Sequence, residues 1–182
     1  LGTLNFHYPF VADQTVTFYA AKSIAGGGTL YINFWDNKLP GLVWFYWLAG
    51  RLFGFDEEGI HSLELLWMLG FSVILILGLR RHVLLPWAAS IAPLAVVGTY
   101  YVAADPFQLS QIEMIIGLPI FAAMWATAQI ERTSHQRAVC FFIAGLCAGV
   151  PVVFKLRYAP LLFMFCVVAP GYPALINKTH FR

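Results

Sequence analysis

An apolar run from His61 to Leu79 reads HSLELLWMLGFSVILILGL. Its length is close to the roughly 20 apolar residues that an α-helix needs to cross a bilayer. Four further apolar stretches of similar length follow, at about 83–101, 108–129, 138–154 and 158–176. The sequence therefore predicts an all-α membrane protein, with a multipass bundle of five transmembrane helices in residues 61–182.

Prolines interrupt several of these stretches and predict kinks in the helices. Membrane helices tolerate such kinks when neighbouring groups satisfy the carbonyls that a proline leaves free. The prolines concerned are Pro86, Pro93, Pro119, Pro151 and Pro160.

Overall composition agrees with a membrane protein. Of the 182 residues, 60% are hydrophobic and only 11% are charged, whereas soluble domains carry roughly 25% charged residues. A soluble core of this size could not enclose so much apolar surface. The net charge of +2 provides no electrostatic footprint for nucleic acid. Three cysteines lie in apolar runs without metal-ligand spacing and are interpreted as small buried hydrophobes, namely Cys140, Cys147 and Cys166.

Residues 1–60 have a different character and predict an external loop with two interfacial helices. Apolar residues recur at helical spacing over 13–24, and the glycine run 26–28 should stop that helix. Pro40 is suited to open a second helix over 42–53, because proline is preorganised for a first helical turn. The Trp and Tyr side chains of this second helix are typical of the lipid headgroup region. The segment is short and contains Arg51, so it is interpreted as interfacial or re-entrant.

The distribution of charge orients the predicted spans. Six Lys and Arg residues and one acid lie near 80–82 and 131–137 and in the tail 177–182. The positive-inside rule places these segments on the cytoplasmic side. The other eight acidic residues then lie on the outer side with five Lys and Arg residues. The predicted location is the plasma or inner membrane, with residues 1–60 extracytoplasmic.

Several charged residues on the predicted outer side are candidates for chemistry. Asp13, at the start of the first helix, can be read as a helix N-cap, as a general base or as a metal ligand, and these readings are compatible. Asp36 and Lys38 form either a polar turn or an ion pair, although a lysine at an interface can also bind phosphate. Glu113 lies near the outer end of the third span, where carboxylates are costly and usually face an interior cavity.

Two further pairs of polar residues lie at the outer ends of predicted spans. His61 and Glu64 lie at the start of the first span, and snorkelling of an end residue to the interface is the alternative to a functional role. Lys155 and Arg157 lie in an outer turn, where the positive-inside rule disfavours cations. Their placement predicts either local ion pairs or the binding of an anionic ligand such as a lipid-linked phosphate.

Residues 13–54 contain an ordered set of motifs: an acidic start, a glycine-rich turn, and an Asp and Lys before a Pro-Gly that leads into an aromatic helix. The motif residues are Asp13-Gln14, Gly27-Gly28-Thr29-Leu30-Tyr31, Asp36-Asn37-Lys38-Leu39-Pro40-Gly41 and Leu52-Phe53-Gly54. This order resembles the polyprenyl-phosphate-sugar-dependent glycosyltransferases of the GT-C fold, related to protein O-mannosyltransferases and lipid A aminoarabinose transferases (glycosyltransferase family 39-like). Glu113 and Phe154-Lys155 look like that family's fourth-span glutamate and the lysine after its fifth span. Gln14 replaces the acid of the family's Asp-Glu pair, and Leu39 replaces its first proline.

The resemblance implies an integral membrane glycosyltransferase that moves a sugar from a polyprenyl-phosphate donor to an acceptor on the extracytoplasmic face. Its partners would be the lipid-linked sugar, membrane lipid and a glycan, lipid or protein acceptor. The resemblance assigns Asp13 as catalytic base or metal ligand, with a divalent cation as a candidate cofactor, and Lys38 as a contact for the lipid phosphate. The further candidate substrate-binding residues are Asp36, Glu113, Lys155 and Arg157, of which the last two are added because of where their charges lie.

Two other functions stay open at the level of sequence. A transporter or flippase fragment would show inverted repeats and broken helices near the midplane. A membrane assembly subunit would use none of these residues in catalysis. Because the chain opens at Leu1 without a visible signal peptide, we expect a fragment that lacks an N-terminal helix and a C-terminal part and that is inactive alone.

Overall fold

The computed structural model describes residues 2–35, 39–80, 83, 85–129 and 134–164. Within these ranges every regular element is a helix, and the one β feature is an isolated bridge between Leu30 and Phe34. The all-α part of the predicted fold class is confirmed. The chain divides into two compact units, Leu1–Leu118 and Pro119–Arg182.

Helix α1 begins at Asp13 and ends at Ala25, close to the predicted range. The glycines end it as expected, and Gly27 has a φ of 93°, a left-handed conformation that glycine adopts at little cost. The N-cap residue is Ala12, and Asp13 is the first helical residue. The interpretation of Asp13 as the N-cap is therefore wrong. Its carboxylate nevertheless stands in the first turn, where the helix dipole favours negative charge.

Helix α2, Gly41–Phe53, follows Pro40 as predicted. It packs against α1 and against helix α3, Glu57–Leu79. Its inner face is closed to solvent, with Tyr46 and Ala49 fully buried. The predicted external loop therefore belongs to the same compact unit as the first apolar helix. The boundary between the two units lies after residue 118.

Helix α3 is the one helix in the described ranges that is long and apolar enough to cross a membrane. Asp56 starts it by accepting a hydrogen bond from the Gly59 N–H at 2.7 Å. Only 33% of the most apolar 18-residue stretch of α3 is buried inside the protein. The exposed side chains at helical spacing are all large and apolar, namely Leu66, Leu69, Val73 and Leu77. Such a contiguous apolar stripe is unusual on a helix that faces water and suits contact with lipid.

The predicted span 83–101 is irregular in the structure. It consists of a 3₁₀ helix at Pro86–Ser90, a π-helical turn at Leu94–Gly98 and helix α4, Thr99–Ala103. Pro93 has no N–H group to continue the helical ladder, and the wide turn begins at the next residue. The apolar helical stretch that results, Trp87–Ala103, is shorter than α3 and falls below the length of a span.

The predicted span 108–129 becomes two helices, α5 at Ile112–Ile115 and α6 at Gly117–Ala128. The interruption has a direct cause in the sequence. Pro119 lacks the N–H group that would bond to the Ile115 carbonyl in a continuous helix. That carbonyl instead accepts a hydrogen bond from the indole Nε1 of Trp67 at 2.8 Å. The predicted rule that neighbours satisfy a carbonyl freed by proline is thus observed here.

In the second unit, helix α7, Ser134–Phe154, covers the predicted span 138–154. A 3₁₀ helix at Leu156–Tyr158 follows it. The fifth predicted span is helical over residues 159–164, and its remainder lies outside the described residues. The multipass arrangement stays a prediction, because α3 alone among the described helices qualifies as a span by length and composition.

We expect Gly59→Ala to destabilise the protein by about 1–3 kcal/mol, the range typical of an overpacked position. A Cβ at residue 59 would lie 2.1 Å from the Gly54 carbonyl oxygen, a backbone atom that cannot swing aside. Gly70→Ala in the same helix is the matched control, because the nearest atom to its Cβ is a Leu118 methyl at 3.6 Å. Alanine there should stabilise α3 by up to about 1 kcal/mol. Thermal unfolding in detergent micelles measures both variants, and equal melting temperatures would contradict the packing described.

Candidate functional site

A buried carboxylate lies inside the first unit. Glu64 of α3 is 1% exposed, and His61, one turn before it, is 4% exposed. The His61 Nδ1 lies 3.0 Å from the Glu64 Oε2. The alternative in which these two residues snorkel to the interface is therefore wrong, because both side chains are enclosed by protein.

Two more donors reach the same carboxylate from distant parts of the chain. The Tyr100 hydroxyl donates to the Glu64 Oε1 at 2.6 Å, and the Ser110 hydroxyl donates to the Oε2. The Ser110 N–H in turn donates to the Tyr100 oxygen at 2.9 Å. An ionised carboxylate only accepts hydrogen bonds and has room for several donors, so the burial of Glu64 is matched by partners. We name His61, Glu64, Tyr100 and Ser110 the Glu64 cluster.

The Glu64 cluster is arranged for positioning and not for nucleophilic attack. In a serine nucleophile, the histidine bridges hydroxyl and carboxylate through its two different ring nitrogens. Here the Ser110 hydroxyl and the Glu64 carboxylate both approach the same His61 Nδ1, at 3.4 and 3.0 Å. The cluster instead holds Ser110, whose φ of 53° is a conformation that surrounding contacts must maintain.

Gln14 connects the turn at Leu109 and Ser110 to the start of α1. Its Nε2 donates to the Leu109 carbonyl at 2.5 Å, and its Oε1 accepts from the Val11 N–H at 3.0 Å. The side chain is buried. Ala12, which lies between Val11 and α1, has a φ of 48°, which is uncommon for a residue with a Cβ. Gln14 occupies the position at which the resembled family has an acid. In this chain it links the start of α1 to the Leu109 carbonyl through hydrogen bonds of a buried side chain.

Asp13, the predicted catalytic residue, is exposed and directly precedes Gln14. Its carbonyl accepts a hydrogen bond from the Thr17 hydroxyl at 2.9 Å, and its neighbour Gln14 is anchored to Leu109. The first turn of α1 carries partial positive charge, which stabilises a carboxylate. Helix α1 therefore presents an exposed carboxylate on a backbone that is held on both sides.

The remaining predicted site residues lie in different parts of the chain. Glu113 belongs to the first unit and is exposed in the short helix α5, not directed into an interior cavity. Lys155 is half-buried and Arg157 is exposed, and both belong to the second unit. Asp36 and Lys38 lie outside the described residues. A shared outer pocket for these groups stays a prediction.

A metal site made of several side chains is not found in the described part of the chain. No group of three or more His, Cys, Asp or Glu residues there could hold a metal ion. Cys140 and Cys147 are free and half-buried on α7, and Cys166 lies outside the described residues. The candidate divalent cation at Asp13 stays a prediction.

The hydroxyl of Tyr46, on α2, lies near the Glu64 cluster without a partner. The side chain is fully buried, and its oxygen makes no hydrogen bond to any described residue. Burial raises the pKa of Tyr46 above its ordinary value. The nearby charge of Glu64 adds to this effect, and the Ser110 hydroxyl, close by but not at hydrogen-bond geometry, opposes it. The Phe10 ring lies 6.1 Å from the Tyr46 ring and 6.0 Å from the His61 ring, so the N-terminal segment also contributes to the enclosure.

Sequence reasoning singled out His61 and Glu64 but missed Tyr46, Tyr100 and Ser110 as their neighbours. Tyr100 and Ser110 are 36 and 46 residues away from Glu64, so no local spacing connects them. The available signal was their position. Both residues lie beside the predicted outer ends of spans, the same side on which the orientation rule places Glu64.

No protein-family model, curated protein or solved structure matches this chain. The resemblance to GT-C glycosyltransferases therefore depends on the motif residues alone.

Replacing Glu64 by Gln tests whether the carboxylate organises the cluster. Glutamine has the shape of glutamate, but one carboxylate oxygen becomes an amide NH₂ group. At least one of the groups that donate to Glu64 then loses its acceptor. Loss of a hydrogen bond to a charged group costs about 1.5–3 kcal/mol, so the melting temperature should fall clearly. Glu58→Gln is the matched control, because the Glu58 carboxylate is 62% exposed and pairs with exposed His7 at 3.2 Å. Equal effects of the two variants would contradict an organising role for Glu64.

Tyr46→Phe should leave stability at neutral pH unchanged or raised, because it removes a buried hydroxyl whose lost hydration costs about 1–3 kcal/mol. The raised pKa of Tyr46 means that the folded protein favours the neutral phenol. That contribution to stability is present below the pKa of an unfolded tyrosine, about 10, and is lost as the pH rises above it. The Phe variant should therefore lose less stability than the parent between about pH 9.5 and 11. Thermal melts at neutral and alkaline pH measure this, and a less stable Phe variant at neutral pH would show that the hydroxyl has a partner.

Proposed function

We propose that this chain is part of an integral membrane glycosyltransferase that moves a sugar from a polyprenyl-phosphate donor to an acceptor on the extracytoplasmic face. The observation that carries the proposal is the exposed Asp13 carboxylate, on a helix start that Gln14 ties to the turn held by the buried Glu64 cluster. The motif resemblance over residues 13–54 supplies the reaction class. A GT-C-like multipass bundle is the corresponding architecture.

Two features support a membrane setting. The first is the apolar exposed face of α3. The second is that hydroxyls in apolar helices bond within their own helix: Ser72 donates to the Met68 carbonyl at 2.9 Å and Thr127 to the Ala123 carbonyl at 2.8 Å. A hydroxyl satisfied in this way needs no water, so such helices can lie against lipid.

In the proposed reaction, the acceptor oxygen attacks the anomeric carbon of the sugar. The bond from that carbon to the phosphate oxygen breaks, and its electron pair leaves with the polyprenyl phosphate. Asp13 takes the acceptor's proton as a general base. Cations stabilise the charge that grows on the departing phosphate. The candidates for this role are Lys38, Lys155 and Arg157, while Asp36 and Glu113 are candidates for sugar binding.

Asp13→Asn in the full-length membrane protein is the direct test of this site. We expect transfer to fall about 10²–10⁴-fold, the usual contribution of a general base, with little change in melting temperature because Asp13 is exposed. Transfer is measured in proteoliposomes with a panel of labelled polyprenyl-phosphate sugars. Glu58→Gln, which removes another exposed carboxylate of the same unit, should transfer at the parent rate.

The outcomes separate the site from the reaction. Normal transfer by Asp13→Asn would remove Asp13 from the catalytic role. No transfer by the parent protein with any sugar of the panel would contradict the reaction class itself.

A transporter or flippase is the second candidate, because one observation favours it. The segment 83–101 contains a π-helical turn, and 108–129 breaks after Ile115. Interrupted helices form the substrate sites of many transporters. A flippase moves the lipid-linked sugar intact, whereas a transferase releases polyprenyl phosphate. Measuring both events in the same proteoliposomes distinguishes the two candidates, and the absence of both would favour an assembly subunit.

A further inference from the structure

An apolar groove lies between α1 and α2, on the side of α2 that faces away from Tyr46. Its walls are Ile24 of α1 and Trp44, Trp47 and Leu48 of α2, and its volume is about 400 Å³. The three α2 residues are spaced three and four apart, so they share one helix face. Trp44 is 57% exposed and Leu48 is 42% exposed, so the groove is open along its length.

One end of the groove carries positive charge. Arg51 lies one helical turn beyond Trp47, with its guanidinium carbon 5.7 Å from the Trp47 ring centroid. Its Nη2 donates to the Ala25 carbonyl at 3.4 Å, at the end of α1. Lys22, in the last turn of α1, places its amine 5.8 Å from the centroid of the Phe18 ring and is not counted with Arg51. The full positive charge of Arg51 exceeds the roughly half negative charge at a helix C-terminus, so the local charge is positive.

We propose that this groove binds an anionic phospholipid of the surrounding leaflet. One acyl chain lies against Trp44, Trp47 and Leu48, and the phosphate of the headgroup lies at Arg51. An apolar slot that ends in a cation matches an amphiphile with a negative head, because each part of the ligand meets its complement. Arginine can place two N–H groups on one phosphate. A zwitterionic lipid would fill the slot but gain less from the arginine.

Distance separates this site from the proposed reaction centre. Asp13 is the first residue of α1, and Ala25, which Arg51 contacts, is the last. Their separation along the helix corresponds to about 18 Å at the helical rise per residue. A phosphate held at Arg51 is therefore too far from Asp13 to be the group that leaves the sugar. The lipid site is thus independent of the proposed transfer reaction.

Quenching of Trp44 fluorescence by brominated lipids tests the groove directly. The full-length protein is reconstituted in phosphatidylcholine vesicles that contain a minor share of phospholipid brominated on its acyl chains, either phosphatidylglycerol or phosphatidylcholine. The Trp44 signal is the difference between the parent and Trp44→Phe. We expect brominated phosphatidylglycerol to quench this signal several-fold more effectively than brominated phosphatidylcholine at equal mole fraction.

Variants of the cationic end test the headgroup contact. Arg51→Gln should lower the preference for phosphatidylglycerol about three- to tenfold, as expected for one lost charge-assisted hydrogen bond at an exposed site. Arg51→Lys keeps the charge and should keep most of the preference, so it remains informative if Arg51→Gln does not fold. Arg80→Gln is the matched control, because it removes one arginine charge at the end of α3. It should leave Trp44 quenching unchanged.

Three results would overturn the proposal. Equal quenching by the two brominated lipids, or an unchanged preference in Arg51→Gln, would exclude the anionic headgroup. Absence of Trp44 quenching by both lipids would exclude an acyl chain in the groove. Displacement of the brominated phospholipid by polyprenyl phosphate would assign the slot to the glycosyl donor instead. Asp13→Asn should leave quenching unchanged, so loss of transfer with normal quenching, or the reverse, tells which of the two proposals fails.

Discussion

The carboxylate of Glu64 can lie inside this protein only because donors surround it. An unpaired carboxylate in an apolar interior is very costly, so the chain has to bring partners to it. They come from its own helix, from α4 and from the turn at Ser110. Gln14 then ties α1 to the same turn, and α2 covers it with Tyr46. Much of the first unit is therefore organised around one buried carboxyl group, and the exposed start of α1 takes its position from that arrangement.

The helices whose end signals are local could be predicted from sequence. Glycines follow α1 and a proline precedes α2, and both helices lie within a residue or two of the predicted ranges. Helix α3 begins at Glu57, a turn earlier than its apolar stretch, because Asp56 caps it. Hydropathy could not predict the breaks in 83–101 and 108–129. It measures how apolar the side chains are and contains no information on the backbone N–H group that proline lacks. Whether a proline bends or breaks a helix depends on which group meets the freed carbonyl, and here that group is 48 residues away.

The candidate site was predictable only in part, for a similar reason. The concentration of acidic residues on one side of the predicted bundle pointed to Asp13 and Glu64, because a carboxylate near a membrane is costly and is usually functional. The partners of Glu64 are held by long-range folding, and residue spacing carries no information about them. Gln14 illustrates the limit: in the motif it marks a missing acid, whereas in the fold it is a buried hydrogen-bonding side chain that serves two backbone groups.

The indole of Trp67 has a consequence for how this sequence can change. Its hydrogen bond fills the acceptor that Pro119 leaves open on Ile115, so positions 67 and 119 depend on each other. If Pro119 is substituted first, the new residue has an N–H group that can donate to the Ile115 carbonyl, and the Trp67 indole is no longer needed as a donor. An exchange of the tryptophan first would leave the carbonyl of the buried residue Ile115 without its hydrogen-bond donor. Among related chains, divergence at 119 should therefore precede divergence at 67, an evolutionary order set by a single carbonyl.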